Sequence, residues 1–260
     1  MNKDGSGVIN KIFERKNHIS RKAPKVKAAG LRGERLEQVI ASNIDSMVII
    51  TSCQQPKFNN RLLDRLIVAA ESSHVEILIV INKIDLDLDE EYKKWLAIYS
   101  GLGYKVFATC VKQNLGIDDL KQFLKGKVNL FWGQSGVGKS SLLNKMFPKL
   151  SLKIGEISES TSKGKHTTVT SKLIKAENDT FLIDTPGMRE IDPYGIREED
   201  LGHYFRDFIP FINECKFNTC THHHEPGCAI LNAVEKGMIT KERYKSYLNL
   251  RDSIEDDMNF

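Results

Sequence analysis

Short, unbroken apolar runs alternate through the middle of this chain with stretches in which apolar residues recur three and four positions apart. The runs at residues 47–50, 77–81, 128–132 and 180–183 predict strands buried on both faces. Residues 61–71 predict a helix, with Leu62, Leu63, Leu66, Ile67 and Ala70 on one face; residues 90–100 and 141–146 predict two more. Strand and helix in alternation imply a mostly parallel sheet, joined by right-handed crossovers and covered by helices on both sides, a three-layer α/β domain. Past Pro193 the pattern turns wholly helical, over 200–208, 229–236 and 241–251, with 252–257 a frayed charged end.

Three loops at the ends of these predicted strands carry the chemistry. Gly133-Gln134-Ser135-Gly136-Val137-Gly138-Lys139-Ser140 fits the G-x-x-x-x-G-K-[S/T] phosphate loop, and it stands between a predicted strand and the helix that Ser141 opens. Its glycines let backbone N–H groups wrap phosphates, Lys139 bridges β and γ oxygens, and the Ser140 hydroxyl is a magnesium ligand. Asn82-Lys83-Ile84-Asp85 ends the run 77–81. The Asp85 carboxylate can accept from both N1–H and the amino group of guanine, a donor pair that adenine lacks, so the pocket should select GTP over ATP. Asp184-Thr185-Pro186-Gly187 ends the run 180–183; Asp184 would hold magnesium through water and the Gly187 N–H would sense the γ-phosphate. Along the chain between the phosphate loop and Asp184 lies the polar loop Lys163-Gly164-Lys165-His166-Thr167-Thr168, from which one of the two threonines, Thr168 in preference to Thr167, would complete the magnesium shell.

The guanine-reading loop precedes the phosphate loop, the reverse of the usual GTPase order. A nucleotide pocket needs only that both loops meet at one edge of the sheet, so this order predicts a circularly permuted GTPase.

Near the C-terminus, Cys215, Cys220, His222 and Cys228 give the spacing C-x4-C-x-H-x5-C, suited to a closed, structural tetrahedral zinc site; His223 and His224 are spare imidazoles that could compete with His222. Cys53 and Cys110 lie near apolar strands and read as ordinary core residues.

Composition adds an asymmetry. Net charge is +4, but residues 1–35 hold ten Lys/Arg against Asp4, Glu14 and Glu34, a local +7 that leaves −3 for the remainder. Such an arm would bind phosphate backbones by counterion release, with RNA as the natural partner. Five cysteines without a signal peptide indicate a reducing cytoplasm, and apolar runs under ten residues fall short of the roughly 20 that cross a bilayer.

Together these motifs, in this order, resemble the RsgA family of circularly permuted GTPases, from about Gly7 to the mid-250s. The resemblance implies a cytoplasmic, monomeric enzyme that hydrolyses GTP to GDP with Mg2+, holds one structural zinc through Cys215, Cys220, His222 and Cys228, and assists maturation of the small ribosomal subunit. It would bind the subunit or its rRNA in a GTP-dependent way, be stimulated by it, and leave on hydrolysis. It further implies an N-terminal OB barrel; residues 7–16 look like its late part, so a partial OB-like segment is expected over 1–40, the GTPase domain over 41–197 and a helical zinc domain over 198–260. The γ-phosphate sensor would then run straight into the zinc domain and could swing it as the nucleotide changes. Met188 stands where many GTPases place a water-orienting Gln, which makes His166, or a group supplied by the partner, the candidate to position the attacking water. Cys110-Val111 stands where the family commonly has Ser-Ala at the guanine O6, and Gly136 where potassium-activated relatives carry Asn, so no potassium dependence is expected. A regulatory GTPase unconnected with ribosomes would share the nucleotide motifs without needing the basic arm and zinc unit, and a relic nucleotide fold serving RNA binding would not need Lys139, Ser140, Asp184 and Asp85 intact.

Overall fold

A computed structural model describes residues 9–23, 36–152, 171–184 and 193–258. The chain enters through two antiparallel strands, β1 (His18–Lys22) and β2 (Glu37–Ser42). It then builds a sheet from β3 (Ser46–Ser52), β4 (Glu76–Asn82), β5 (Lys105–Thr109), β6 (Val128–Gly133), β7 (Lys172–Lys175) and β8 (Phe181–Asp184). The spatial order is β5-β4-β3-β6-β8-β7, parallel throughout except for β7 at the edge. Helices α1 (Asn60–Glu71), α2 (Tyr92–Gly101), α3 (Ile117–Leu124) and α4 (Lys139–Met146) connect the strands.

Period-2 alternation in the strands explains the three layers. Met47, Ile49, Ile77, Ile79, Leu130 and Trp132 face one core with α1 and α2, while Val48, Ile50, Leu78, Val80 and Phe131 face another with α3 and α4. The polar residues buried within the strands are paired: the fully buried Asn129 accepts from the equally buried Ser46 hydroxyl at 2.7 Å and donates to Leu124 O at 3.0 Å. The two halves of the sheet grow outward from the β3–β6 pair, so the chain reverses direction of travel there, and ligands of open α/β sheets gather beyond the carboxyl ends of strands at such a point.

The N-terminal pair packs on the first of these cores through Ile19, with Ile40 and Ala41 beside it. Among the described residues strand structure begins at His18; residues 9–15, part of the segment expected to be late barrel, have no regular hydrogen-bonded form and leave Ile9, Ile12 and Phe13 exposed. Gly7 lies outside the described residues.

Three helix expectations need correction. α2 starts at Tyr92, not at residue 90, because Glu90 takes a positive φ of 54° and the Asp87 carboxylate accepts from Tyr92 N at 2.7 Å. The helix expected over 200–208 is a short 3-10 turn, Leu201–Tyr204, followed by α5 (Ile209–Ile212). Phe205 turns extended between them, and Pro210, which has no N–H to donate, sits in the first turn of α5. Beyond α6 (Ala229–Glu235), α7 runs Lys241–Met258 without fraying at 252, since Ile254 is buried and Ser253 receives a hydrogen bond from Arg65 of α1 at 3.3 Å.

The C-terminal helices share a core with α1: Val68 joins Leu201, Phe205, Phe208, Ile230, Tyr247 and Leu250. At the heart of this seam the Arg243 guanidinium, 1% exposed, donates to Asp64 of α1 and to both oxygens of Asp207, at 2.7 and 3.2 Å, and lies 4.6 Å from the Phe205 ring centre. Burial disfavours its charge, but Asp64 and Asp207 outweigh that and hold it protonated. Tyr99 of α2 donates to the same Asp64 at 2.8 Å.

Candidate functional site

Five strand ends deliver their next residues to one edge of the sheet. β6 runs into the phosphate loop, and α4 begins at Lys139 directly after Gly138. Gly138 has φ 93° and a Cβ there would sit 2.5 Å from Asn82 Nδ2, so both the turn and the close approach of the neighbouring loop require glycine. Asn82, the last residue of β4, occupies that space: its Nδ2 donates to Val137 O at 2.8 Å, and its Oδ1 accepts from the Thr109 hydroxyl of β5 at 3.0 Å. Asn82 is 2% exposed and therefore acts as the clasp between the two motifs rather than as a surface contact.

Lys83 adopts the left-handed conformation (φ 60°) and its Nζ donates to Gln55 O. Asp85 follows within the 3-10 turn Ile84–Leu86. Its Oδ1 accepts from the Cys110 thiol at 3.2 Å, and Lys112 Nζ lies 3.6 Å from Oδ2. The loop carrying these partners is closed by paired backbone bonds between Cys110 and Leu115, 3.1 and 3.0 Å. Lys139 Nζ meets Asp184 Oδ1 at 2.6 Å, each side chain about a tenth exposed. The phosphate-loop lysine and the carboxylate at the end of β8 therefore neutralise each other, as a low-dielectric cleft requires.

The structure thus brings Asn82, Lys83, Asp85, Gly133, Gln134, Ser135, Gly136, Val137, Gly138, Lys139, Ser140, Ser141 and Asp184 to one sheet edge. His166, Thr167, Thr168 and Gly187 lie outside the described residues. Two contributors escape sequence reasoning. The loop after β3 supplies Gln55 O to Lys83, and Pro56 lies beside Gly136, where an added Cβ would be 3.6 Å from Pro56 Cδ. Cys110, which the resemblance set at the guanine O6 loop, is buried as expected of a core residue, and the contact of its sulfur with the Asp85 carboxylate is what the sequence did not signal. Only alignment of strand ends signals either, because all three strands β3, β4 and β5 must finish at the same edge.

The second cluster is built by the turns between α5 and α6. Cys215, Cys220, His222 and Cys228 each present one ligand atom, all within 4.8 Å of one another. Cys215 Sγ and Cys228 Sγ are 4.0 Å apart and lie 3.5 and 3.6 Å from His222 Nδ1. A tetrahedral zinc with bonds of about 2.3 Å to sulfur needs ligand separations of about 3.8 Å, so the donor set fits. Geometry also chooses among the histidines: His222 is 1% exposed with Nδ1 in the cluster, while His223 and His224 are exposed and face each other. His222 Nε2 is buried against Gly202 without a partner, and a metal held at Nδ1 would leave the ring hydrogen on that nitrogen. Burial lowers the His222 pKa and pushes the Cys220 thiol up to about 12, so thiolates here require a cation.

Glu225 shapes the loop. Burial opposes its ionisation, but hydrogen bonds from the Thr221 hydroxyl and N–H and from the His223 N–H outweigh that and hold its carboxyl well below the usual range. Tyr244 and Tyr247 of α7 donate to His222 O and Thr221 O at 2.9 and 2.6 Å, tying the loop to the helix that carries Arg243.

With this geometry in place, comparison with known proteins is decisive. The RsgA GTPase family model matches residues 12–194. The chain belongs to the RsgA GTPase family. The small ribosomal subunit biogenesis GTPase RsgA of Chlorobaculum parvum is 42% identical over 96% of this chain and 79% of its own length, and RsgA 2 of Bacteroides thetaiotaomicron 36% identical over 98% and 81%. Among solved structures, YjeQ from Thermotoga maritima superposes with a TM-score of 0.76 at 34% identity, covering 97% of this chain and 80% of that one. YloQ, described as a circularly permuted GTPase, gives 0.71 at 31%, covering 98% and 78%. The RsgA fold therefore accounts for the reversed motif order. Among the described residues, no helix is long and apolar enough to cross a membrane.

Proposed function

We propose that this RsgA-family chain hydrolyses GTP in the service of small ribosomal subunit maturation, gripping the subunit or its rRNA with GTP bound and letting go after hydrolysis. The observation that supports this reading best is the Asn82–Val137 hydrogen bond, which holds the Asp85 loop against the phosphate loop although the two lie in reversed order in the chain.

Each residue then has a task. Asp85 accepts the two guanine N–H donors, with Cys110 holding one of its oxygens; Lys83 and the Gln55 loop wall the base pocket. Backbone N–H groups from Gly133 to Ser141 cradle the phosphates, and Lys139 exchanges Asp184 for phosphate oxygens. Ser140 and Asp184, with Thr168, are the residues suited to hold Mg2+, which when bound neutralises charge developing on the phosphates. Gly187 senses the γ-phosphate through its N–H, and His166 positions the attacking water. Cys215, Cys220, His222 and Cys228 would hold a structural zinc with all four positions taken by protein. A working division into an OB-like segment (1–40), a GTPase domain (41–197) and a zinc unit (198–260), acting as a cytoplasmic monomer, goes with this assignment.

The test is GTP turnover by the purified chain with and without small ribosomal subunits. Stimulation by subunits, with tighter subunit binding in a non-hydrolysable GTP analogue than in GDP, is the expected result. Equal turnover with and without subunits would refute the ribosomal assignment. A separate expectation concerns the cluster: purified protein should carry about one zinc per chain by atomic emission, and Cys220→Ala should lose it and expose the 213–228 loop to protease. Full zinc content in Cys220→Ala would remove that residue from the ligand set.

A further inference from the structure

Where the N-terminal strand pair, the end of α1 and the start of the C-terminal helices meet, the surface opens into a cavity of 400 Å³ that none of the nucleotide or zinc residues lines. Its walls include Lys16, His18, Glu37, His74, Tyr194 and Tyr204. All three walls are anchored. Asn17 exchanges side-chain hydrogen bonds with Ile44 at 2.8 Å, beside Lys16. His74 closes α1 in the left-handed conformation (φ 52°), and Ile196, two residues beyond Tyr194, is buried in the C-terminal core.

The lining is neither an apolar slot nor a single-sign charge well. Tyr194, 38% exposed, and the half-buried Tyr204 supply ring faces. Lys16 and the two imidazoles supply positive or donor groups, and Glu37, which accepts from His18 Nε2 at 2.9 Å, supplies acceptor capacity. Ring platform, cation and edge acceptor together are what an unstacked nucleotide of a single strand needs: a π-face for the base, a cation for its phosphate, an acceptor for an exocyclic amino group. The volume lies within the range of about 300–1,000 Å³ typical of ligand sites. The described part of the N-terminal portion beside it carries Lys11, Arg15, Lys16, Arg21 and Lys22, cations suited to a phosphodiester backbone.

We propose that this three-way seam is a single-nucleotide pocket for an unpaired RNA residue, separate from the GTP site. It deepens the ribosomal reading given above and rests on it for the source of the RNA. Because the three walls come from different parts of the chain, an occupant would staple the N-terminal strands, α1 and the zinc-bearing unit to one another.

The experiment measures binding of a fluorescently labelled, unstructured oligoribonucleotide to the full-length chain in GDP, by anisotropy across a salt series. Tyr194→Ala should weaken binding about tenfold while Tyr194→Phe stays close to wild type. Lys16→Ala should weaken it and lower the salt slope by about one. Unchanged GTP binding shows that the variants are folded. The pocket is overturned if wild type does not bind the oligonucleotide, if Tyr194→Ala and Lys16→Ala bind it as wild type does, or if excess AMP displaces it, which would assign a free nucleotide instead. Repeating the series with small subunits separates the two readings. Subunits bound equally by wild type and both variants sink the pocket and leave the ribosomal role standing, whereas subunits bound by none of them sink the ribosomal role while the oligonucleotide result still decides the pocket. A loss seen with intact subunits but not with oligonucleotide would mark a protein occupant and also overturn the RNA assignment.

Discussion

Asp85→Asn is expected to weaken GTP binding by roughly 10²- to 10⁴-fold and to turn the preference toward xanthosine triphosphate. On the proposed assignment the carboxylate accepts from guanine N1–H and its amino group, and each hydrogen bond to a charged acceptor contributes about 1.5–3 kcal/mol. An amide keeps one acceptor but sets its NH2 against a guanine donor, whereas the 2-oxo group of xanthine accepts from it. The substitution is nearly isosteric, and the Cys110 thiol that bonds Oδ1 can bond the amide oxygen instead, so the loop should keep its shape. Competition of GTP, XTP and ATP against a fluorescent guanine nucleotide measures the effect. Selectivity equal to that of wild type would show that Asp85 does not read the base, and the assignment of the whole cleft would fall with it.

Arg243→Ala is expected to destabilise the chain by about 3–5 kcal/mol, among the largest effects available outside the nucleotide loops. The cause is what remains: Asp64 and Asp207, 1% and 8% exposed, would be left facing each other in a core without their cation. Asp64 Oδ2 already lacks a partner, so the site has no reserve of hydrogen bonds to draw on. Replacing all three ionic groups with Arg243→Met, Asp64→Leu and Asp207→Leu should recover most of the loss, since apolar side chains of similar volume leave neither a stranded charge nor a new unpaired polar atom at these three positions. Urea unfolding followed by the two tryptophans, Trp95 and Trp132, supplies the comparison. If the triple variant proves no more stable than Arg243→Ala alone, packing rather than stranded charge explains the loss.

The seam also bears on how nucleotide state reaches the C-terminal unit. α1 follows directly from the Gln55 loop that holds Lys83, and α2 follows from the Asp85 turn; Arg243 binds Asp64 of the first, and Asp64 accepts from Tyr99 of the second. The side of the cleft that carries Asp85 is thus in continuous contact with the helices around the Cys/His cluster, a physical connection independent of the chain segment after Asp184.

The parallel sheet, its two apolar faces, the phosphate and guanine loops and the Cys/His cluster were all legible along the chain. Each depends on local information: an apolar run bounded by glycine, a short fixed spacing, or a strand followed by a polar turn, and their physics is set within about ten residues. Even the permuted topology could be read, because it needs only the order of two motifs. What waited for the folded chain were contacts between segments far apart in sequence. No pattern near Cys110 reveals that its sulfur rests on Asp85, nor does a lone Arg243 announce two carboxylates 179 and 36 positions away. The break in the helix expected over 200–208 has the same origin, since Phe205 turns extended to bring Asp207 to that guanidinium. The spacing alone left His223 and His224 as competitors of His222, which the resemblance favoured; the fold separates them by burying His222 and setting its Nδ1 among the sulfurs. Periodicity reports which face a residue will take, but a buried charge is placed by whichever partner reaches it, and only packing of the whole chain decides that.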